Sequence, residues 1–321
     1  MNKIFVLLCT AVAIFPSFGC SDRAASSPIP HSKKELRVQR AFSGSHPIKI
    51  VCTTGMVADI VRNVGGKHVE VDQLMGQDVD PHLYKATPGD MSRLARADAV
   101  FYSGLHLEGK MTDVLERLGE RGVSIGVAEF IDQSKVLTNE EGIHDPHVWF
   151  DVSLWSQTIG VVRDVLAAFD PAHAADYTER AASYEAELAM VHTSTRQRLA
   201  EIPSSQRVLI TSHDAFHYFG RAYDIEVKGI QGISTDAEAG VKDINDLVRF
   251  ITQRRIKAVF VETSVNQRNM RALLEGCKSM GHDVVVGGEL YSDAMGKDGT
   301  AEGTYAGMIR HNVETIVHAL K

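Results

Sequence analysis

Three histidines occupy positions from which the chain could aim them at one point. His82 lies in Asp80-Pro81-His82-Leu83-Tyr84, and His147 lies in His144-Asp145-Pro146-His147-Val148-Trp149-Phe150. His213 closes Leu209-Ile210-Thr211-Ser212-His213-Asp214. In the two Asp-Pro-His elbows, proline fixes its own φ and drives the preceding aspartate toward an extended shape. The histidine therefore leaves the elbow in a defined direction, and the aspartate can accept a ring N–H and lock the tautomer. A single loop histidine usually does no more than make a hydrogen bond; two such elbows in one half of a chain favour a shared task. A carboxylate is available from Val284-Val285-Val286-Gly287-Gly288-Glu289-Leu290-Tyr291-Ser292-Asp293, through Asp293 or Glu289, and spacing does not choose between them. Three imidazoles and a carboxylate suit Zn²⁺ at about 2.0–2.2 Å. Of the other histidines, His31 and His46 fall in an irregular N-terminal stretch. His173, His192, His282, His311 and His318 fall on helical patterns or their ends and read as solvent-facing.

The elements that must position these groups alternate between β-rich runs and helical patterns. Strands are expected at Ile48–Cys52, His68–Leu74, Ala99–Tyr102 and Val123–Val127, with helices at Met56–Val64, Pro88–Ala95, Met111–Leu118 and Ser153–Phe169. After Pro171 a stretch without glycine runs to Ile202. Its apolar positions Tyr177, Ala181, Tyr184, Leu188 and Val191 recur at helical spacing. Beyond it, strands at Arg207–Thr211, Ile225–Ile230, Ala258–Glu262 and Asp283–Val286 alternate with helices at Ala215–Tyr223, Val241–Arg254, Asn266–Met280 and Thr304–Leu320. The pattern predicts an α/β fold with two lobes, 48–170 and 203–321. Each lobe is a roughly four-stranded, mostly parallel sheet flanked by helices, and one long rigid spine helix, 171–202, joins them. Ligands of parallel sheets gather beyond the carboxyl ends of the strands, so His82, His147 and His213 would face one crevice.

The chain has 321 residues, 44% apolar and 23% charged, the profile of a folded protein long enough for its own core. Its net charge of −7 argues against nucleic acid as a partner. Met1-Asn2-Lys3, the apolar run Ile4–Phe15 and Pro16-Ser17-Phe18-Gly19-Cys20 have the layout of a secretory signal, too short to span a membrane. Residues 1–19 are expected to be removed and Cys20 to be acylated, although Ser17 stands where a lipoprotein signal usually has leucine. Residues 20–47, rich in Ser, Pro and charge, read as a flexible tether. Of the four cysteines, Cys52 and Cys277 remain in the folded part. They could pair in an oxidising compartment, but two buried thiols are the preferred reading, and no Cys-x-x-Cys is present.

The two Asp-Pro-His elbows, Ser212-His213-Asp214-Ala215-Phe216 and Gly288-Glu289-Leu290-Tyr291-Ser292-Asp293, in this order, resemble the metal-binding lipoproteins of zinc and manganese ABC importers, cluster A-I and its TroA-like branch in particular. The resemblance covers nearly everything after the tether. It implies His82, His147, His213 and Asp293 as ligands of one Zn²⁺ or Mn²⁺ per chain, with Glu262 and Glu289 in support. It also implies two lobes on a single spine helix, an ABC permease as partner and a monomer held at a bacterial membrane in the periplasm or on the cell surface. The chain departs from the family in three places. The His-rich insert of zinc-dedicated relatives is absent, His144 alone preceding the second elbow. His213 stands where manganese-dedicated relatives often have glutamate. Ser234-Thr235-Asp236-Ala237-Glu238-Ala239 replaces the usual Ser-Pro-Glu-x-Glu-Pro loop, which weakens a permease-contact role there.

Other classes fit less well. Gly104-Leu105-His106-Leu107-Glu108-Gly109-Lys110 approaches a phosphate-binding loop, but Met111 replaces the Mg²⁺-binding Ser or Thr and Glu108 would repel phosphate. A zinc hydrolase keeps an open coordination position for water, which four protein ligands would close. A surface adhesin has no support in β-sandwich pattern or low-complexity repeats.

Overall fold

A computed structural model describes residues 36, 38, 40–139 and 141–321. The expected signal segment, Cys20 and most of the tether lie outside the described residues. The first half of the chain runs β1 (Ile48–Cys52), α1 (Gly55–Gly65), β2 (Val69–Gln73), α2 (Pro88–Arg96), β3 (Ala99–Tyr102), α3 (Thr112–Gly119), β4 (Val123–Gly126), α4 (Val152–Trp155) and α5 (Gln157–Phe169). Then come α6 (Ala174–Leu199), β5 (Val208–His213), α7 (His217–Tyr223), β6 (Glu226–Gln231), α8 (Val241–Arg254), β7 (Ala258–Glu262), α9 (Arg268–Ser279), β8 (Val285–Leu290) and α10 (Tyr305–Leu320). Among the described residues no helix is long and apolar enough to cross a membrane.

In the N-terminal half, four parallel strands run in the order β2-β1-β3-β4, with Ile48 opposite Val69 and Ile50 opposite Ala99. Alternation along a strand sends successive side chains to opposite faces. Ile48, Ile50, Cys52, Ala99, Phe101, Val123 and Ile125 enter the main core, while Val51, Val100 and Tyr102 join a second cluster under α2 and α3. The C-terminal half repeats the device. Leu209, Ala258 and Phe260 face the main core; Val208, Ile210, Val259 and Val261 face a cluster with α8 and α9. Its four strands form two parallel ladders, β5-β6 and β7-β8, with β5 lying beside β7, rather than one continuous ladder. At the carboxyl end of β5, the backbone N–H of His213 donates to the Glu262 carboxylate at 3.0 Å, a side-chain partner in place of a strand carbonyl.

The spine is shorter than the sequence pattern predicts. Residues 171–173 form a 3₁₀ turn, and the α-helix covers Ala174–Leu199, 26 residues or about 39 Å. It stops ahead of Pro203, which disfavours a helical conformation in the residue before it. All five predicted stripe residues are buried, and Thr195 and Leu199 continue the stripe. Helices α1, α5 and α10 pack on this helix, so the main core runs unbroken from β1 to α10. The end of the expected tether also belongs to the body. Phe42 donates its N–H to the Phe169 carbonyl and its ring lies 5.5 Å from that of Phe169, because an aromatic residue there has apolar surface to cover. Cys52 and Cys277 are free and buried in separate clusters.

Candidate metal centre

The four predicted ligands come together. His82, on the loop between β2 and α2, His147, ahead of the 3₁₀ turn Val148–Phe150, His213, the last residue of β5, and Asp293, three residues beyond β8, are all buried. The Nε2 atom of His147 lies 3.3 Å from Nε2 of His82 and 3.3 Å from Nε2 of His213. Asp293 Oδ2 is 3.3 Å from His213 Nε2 and 3.7 Å from His82 Nε2, and Oδ1 is 3.4 Å from His147 Nε2. A tetrahedron with donors about 2.0–2.1 Å from its centre has edges of about 3.3–3.4 Å. The separations of 3.3–3.7 Å are close to those edges, and one donor atom from each of the four residues lies within 4.8 Å of the others. Both oxygens of Asp293 are buried without a hydrogen-bond partner, which a carboxylate tolerates poorly unless a cation answers it.

Each ring is held from behind. Asp145 Oδ1 accepts from His147 Nδ1 at 2.7 Å and from the His147 backbone N–H at 3.0 Å, which points Nε2 at the centre. Glu262 Oε2 does the same for His213 Nδ1 at 2.6 Å. Gly229 lets strand β6 approach this corner: a Cβ there would sit 2.4 Å from Asp214 N. The first elbow works differently. Asp80 Oδ1 accepts the backbone N–H of His82 at 2.9 Å, and Oδ2 accepts the Thr235 hydroxyl at 2.5 Å; it orients the loop rather than the ring. Thr235 comes from the loop that departs from the family pattern, and Lys110 pairs with Asp236 of the same loop at 2.8 Å. The 234–239 loop therefore reaches across to the N-terminal half beside a surface hollow lined by His82, His106, Lys110, His144, Ser234 and Asp236.

Burial sets the electrostatics and the partners correct it. Desolvation, reinforced by His147 and His213, lowers the His82 pKa to about 3 against the pull of Asp293. For His147 desolvation is outweighed by Asp145 and Asp293, which raise it to about 9. For His213 the opposing carboxylates Glu262 and Asp293 likewise win over burial. Burial pushes Asp293 up, but His213 and His147 hold it well below the usual carboxylate range.

Glu289 is not in the cluster. It is exposed on β8 and borders a separate surface hollow with Tyr291, His311, Glu314 and His318. The phosphate-loop resemblance dissolves as well: the buried Glu108 carboxylate accepts from Thr53 Oγ1 at 2.6 Å, Ser103 N at 2.7 Å and Gly104 N at 3.2 Å, so the loop is filled by its own side chain. Sequence reasoning missed the aromatic bracing. Trp149 Nε1 donates to the Ser292 carbonyl at 3.1 Å, next to Asp293, and Tyr305 Oη donates to the Trp149 carbonyl at 2.6 Å. Tyr218 Oη donates to the Asp145 carbonyl at 2.9 Å. Only the position of Trp149 beside the second elbow hinted at this.

Comparison with known proteins identifies the family. Residues 50–319 match the family described as ZnuA, zinc-uptake complex component A, periplasmic. The chain is 49% identical to the manganese-binding lipoprotein MntA of Bacillus subtilis over 280 residues, covering 87% of this chain and 92% of that protein. It is 46% identical to the zinc-binding protein TroA of Treponema pallidum over 271 residues, 84% of this chain and 88% of that protein. The solved structure of the Treponema pallidum periplasmic zinc-binding protein TroA superposes with a TM-score of 0.83, covering 85% of this chain and 99% of that one.

Proposed function

This chain belongs to the family of the periplasmic zinc-uptake complex component A, and from that premise we propose that it captures one Zn²⁺ or Mn²⁺ with His82, His147, His213 and Asp293 and delivers it to an ABC permease. It acts outside the cytoplasm as a monomer, tethered through an acylated Cys20. Residues 48–170 and 203–321 act as its two lobes and α6 as the strut between them. The observation that carries the reading is the pair of buried Asp293 oxygens that lack a hydrogen bond and face three Nε2 atoms at 3.3–3.7 Å.

The ion is cargo, and each of the chain's own groups has a part in holding it. Asp145 and Glu262 present Nε2 lone pairs by keeping the Nδ1 protons. Asp293 offsets the charge, and both its oxygens face the centre, so it can bind through one for Zn²⁺ or both for Mn²⁺. Raw affinity at such a site favours zinc. Four protein donors close a tetrahedral site, which supports binding rather than the open-position chemistry of a zinc hydrolase. His82 and His147 come from one half and His213 and Asp293 from the other, so the ion ties the halves together. The strut favours release by a small tilt or loop shift over wide opening, and the permease must select that state.

The test is metal-free full-length chain titrated with Zn²⁺ and Mn²⁺ in competition. His147→Ala should lose the tightest equivalent of metal by orders of magnitude while the circular dichroism spectrum stays unchanged. Unaltered tight binding in that variant would refute the assignment.

A further inference from the structure

A second histidine cluster lies at the opposite pole of the N-terminal sheet. Strands β1 and β2 are parallel with Ile48 opposite Val69. His46, two residues before Ile48, and His68, one before Val69, therefore sit side by side at the amino ends of the strands. The 3₁₀ turn Pro171–His173 brings His173 to the same place at the head of α6. The ring centroids of His68 and His173 are 3.9 Å apart, those of His46 and His173 4.7 Å, and those of His46 and His68 6.1 Å. One nitrogen of each ring lies within 4.8 Å of the others. Two carboxylates border them. Asp170 Oδ2 is 2.9 Å from His46 Nε2, 2.7 Å from His173 Nδ1 and accepts the Tyr177 hydroxyl at 2.7 Å. Asp176 Oδ2 is 2.7 Å from His68 Nε2.

We propose that His46, His68 and His173, edged by Asp170 and Asp176, form a second binding site for a divalent transition metal of the zinc, nickel or copper class. Neutral imidazoles are donors suited to those ions, and the two carboxylates balance the ion's charge. The ring nitrogens of His46 and His173 already converge on one carboxylate oxygen, so a cation can take the place of the protons they share with it. Burial raises the Asp170 carboxyl, but hydrogen bonds from His46, Tyr177 and His173 outweigh it and hold the group ionised below its usual range. The site is independent of the centre described above, which lies beyond the carboxyl ends of the same strands; a five-residue strand of about 16 Å separates the two ends. The His46 and His173 side chains are 36% and 31% exposed, so this metal exchanges with solvent more readily than the buried one. It would also fasten the segment that leads into β1 to the start of the strut.

Equilibrium dialysis of the full-length chain against buffered Zn²⁺, with elemental analysis, tests the proposal in four proteins. Wild type should hold two equivalents, His147→Ala one, the pair His46→Ala with His173→Gln one, and the combination none. Weakening of the second equivalent by at least about tenfold also counts as support. Copper titrated into His147→Ala should give a nitrogen-split paramagnetic resonance signal that the combined variant lacks. Two unaltered equivalents in the His46/His173 variant, or never more than one in wild type, would overturn the second site. A chain whose tightest equivalent survives in His147→Ala would instead unseat the first site, so the two failures can be told apart. Both substituted rings are partly exposed, and circular dichroism and thermal melts verify that these variants fold.

Discussion

The two Asp-Pro-His elbows make the most discriminating prediction, because the same tripeptide does different work at each. At Asp145 one oxygen holds both the ring Nδ1–H and the backbone N–H of His147. At Asp80 the carboxylate touches only the backbone of His82 and the Thr235 hydroxyl. Asp145→Asn keeps the shape and can keep both hydrogen bonds, but it replaces a charged acceptor by a neutral one and makes the Nε2 lone pair less basic. Loss of such a partner ordinarily weakens metal binding about 10–100-fold, which is about 1.4–2.7 kcal/mol. Asp80→Asn leaves the His82 ring without a changed partner, so its effect on affinity should stay below about threefold, or roughly 0.7 kcal/mol. The assay is Zn²⁺ competition against a chromogenic chelator at fixed pH, with melting temperatures of the metal-free proteins as a control for folding. Equal losses in the two variants, or a larger loss at Asp80, would refute the claim that ring orientation at His147 governs affinity.

Three further outcomes follow from the packing. Leu188→Ala, at the fully buried middle of α6, should cost about 2–5 kcal/mol in denaturant unfolding of the metal-free chain; a loss under 1 kcal/mol would mean that the strut is not packed as described. Asp90 caps α2 and has its pKa lowered to about 2 from 3.8, because bonds from Thr87, Tyr84 and Arg93 outweigh the upward push of burial. Its contribution is present above about pH 4 and is lost as pH falls toward 2, so Asp90→Asn should flatten the acid limb of the stability curve, and an unchanged limb would contradict this. Cys52 and Cys277 should resist a thiol reagent in the folded chain and react on unfolding, since burial raises both thiols; rapid labelling of the native protein would contradict their placement.

Much of the candidate site was legible because its histidines announce themselves locally, by proline elbows or by ending an apolar strand. Spacing alone did not fix the carboxylate, which only the resemblance assigned to Asp293, because the choice between Glu289 and Asp293 depends on where β8 stops. The Gly287-Gly288 pair suggests an end at Val286, yet the strand continues to Leu290 against β7, with a register shift at Val259/Phe260. Glu289 then stays on an exposed strand face, and the turn that follows carries Asp293 inward. The parallel sheets were visible from alternation, whereas the split of the C-terminal strands into two ladders had no signal in it. The cluster of His46, His68 and His173 could not be seen at all. It exists only through the Ile48–Val69 register and the turn before α6, and its members are spread over more than a hundred residues of sequence.

The unbroken main core has a thermodynamic consequence. Inner faces of the N-terminal sheet and of the C-terminal ladders, together with α1, α5, α6 and α10, share one apolar interior, so the largest core cannot stay intact in one half if the other is lost. Heating should therefore melt the chain in a single cooperative step, with calorimetric and van't Hoff enthalpies in agreement. Added cation should then raise the midpoint of that one transition rather than resolve a second.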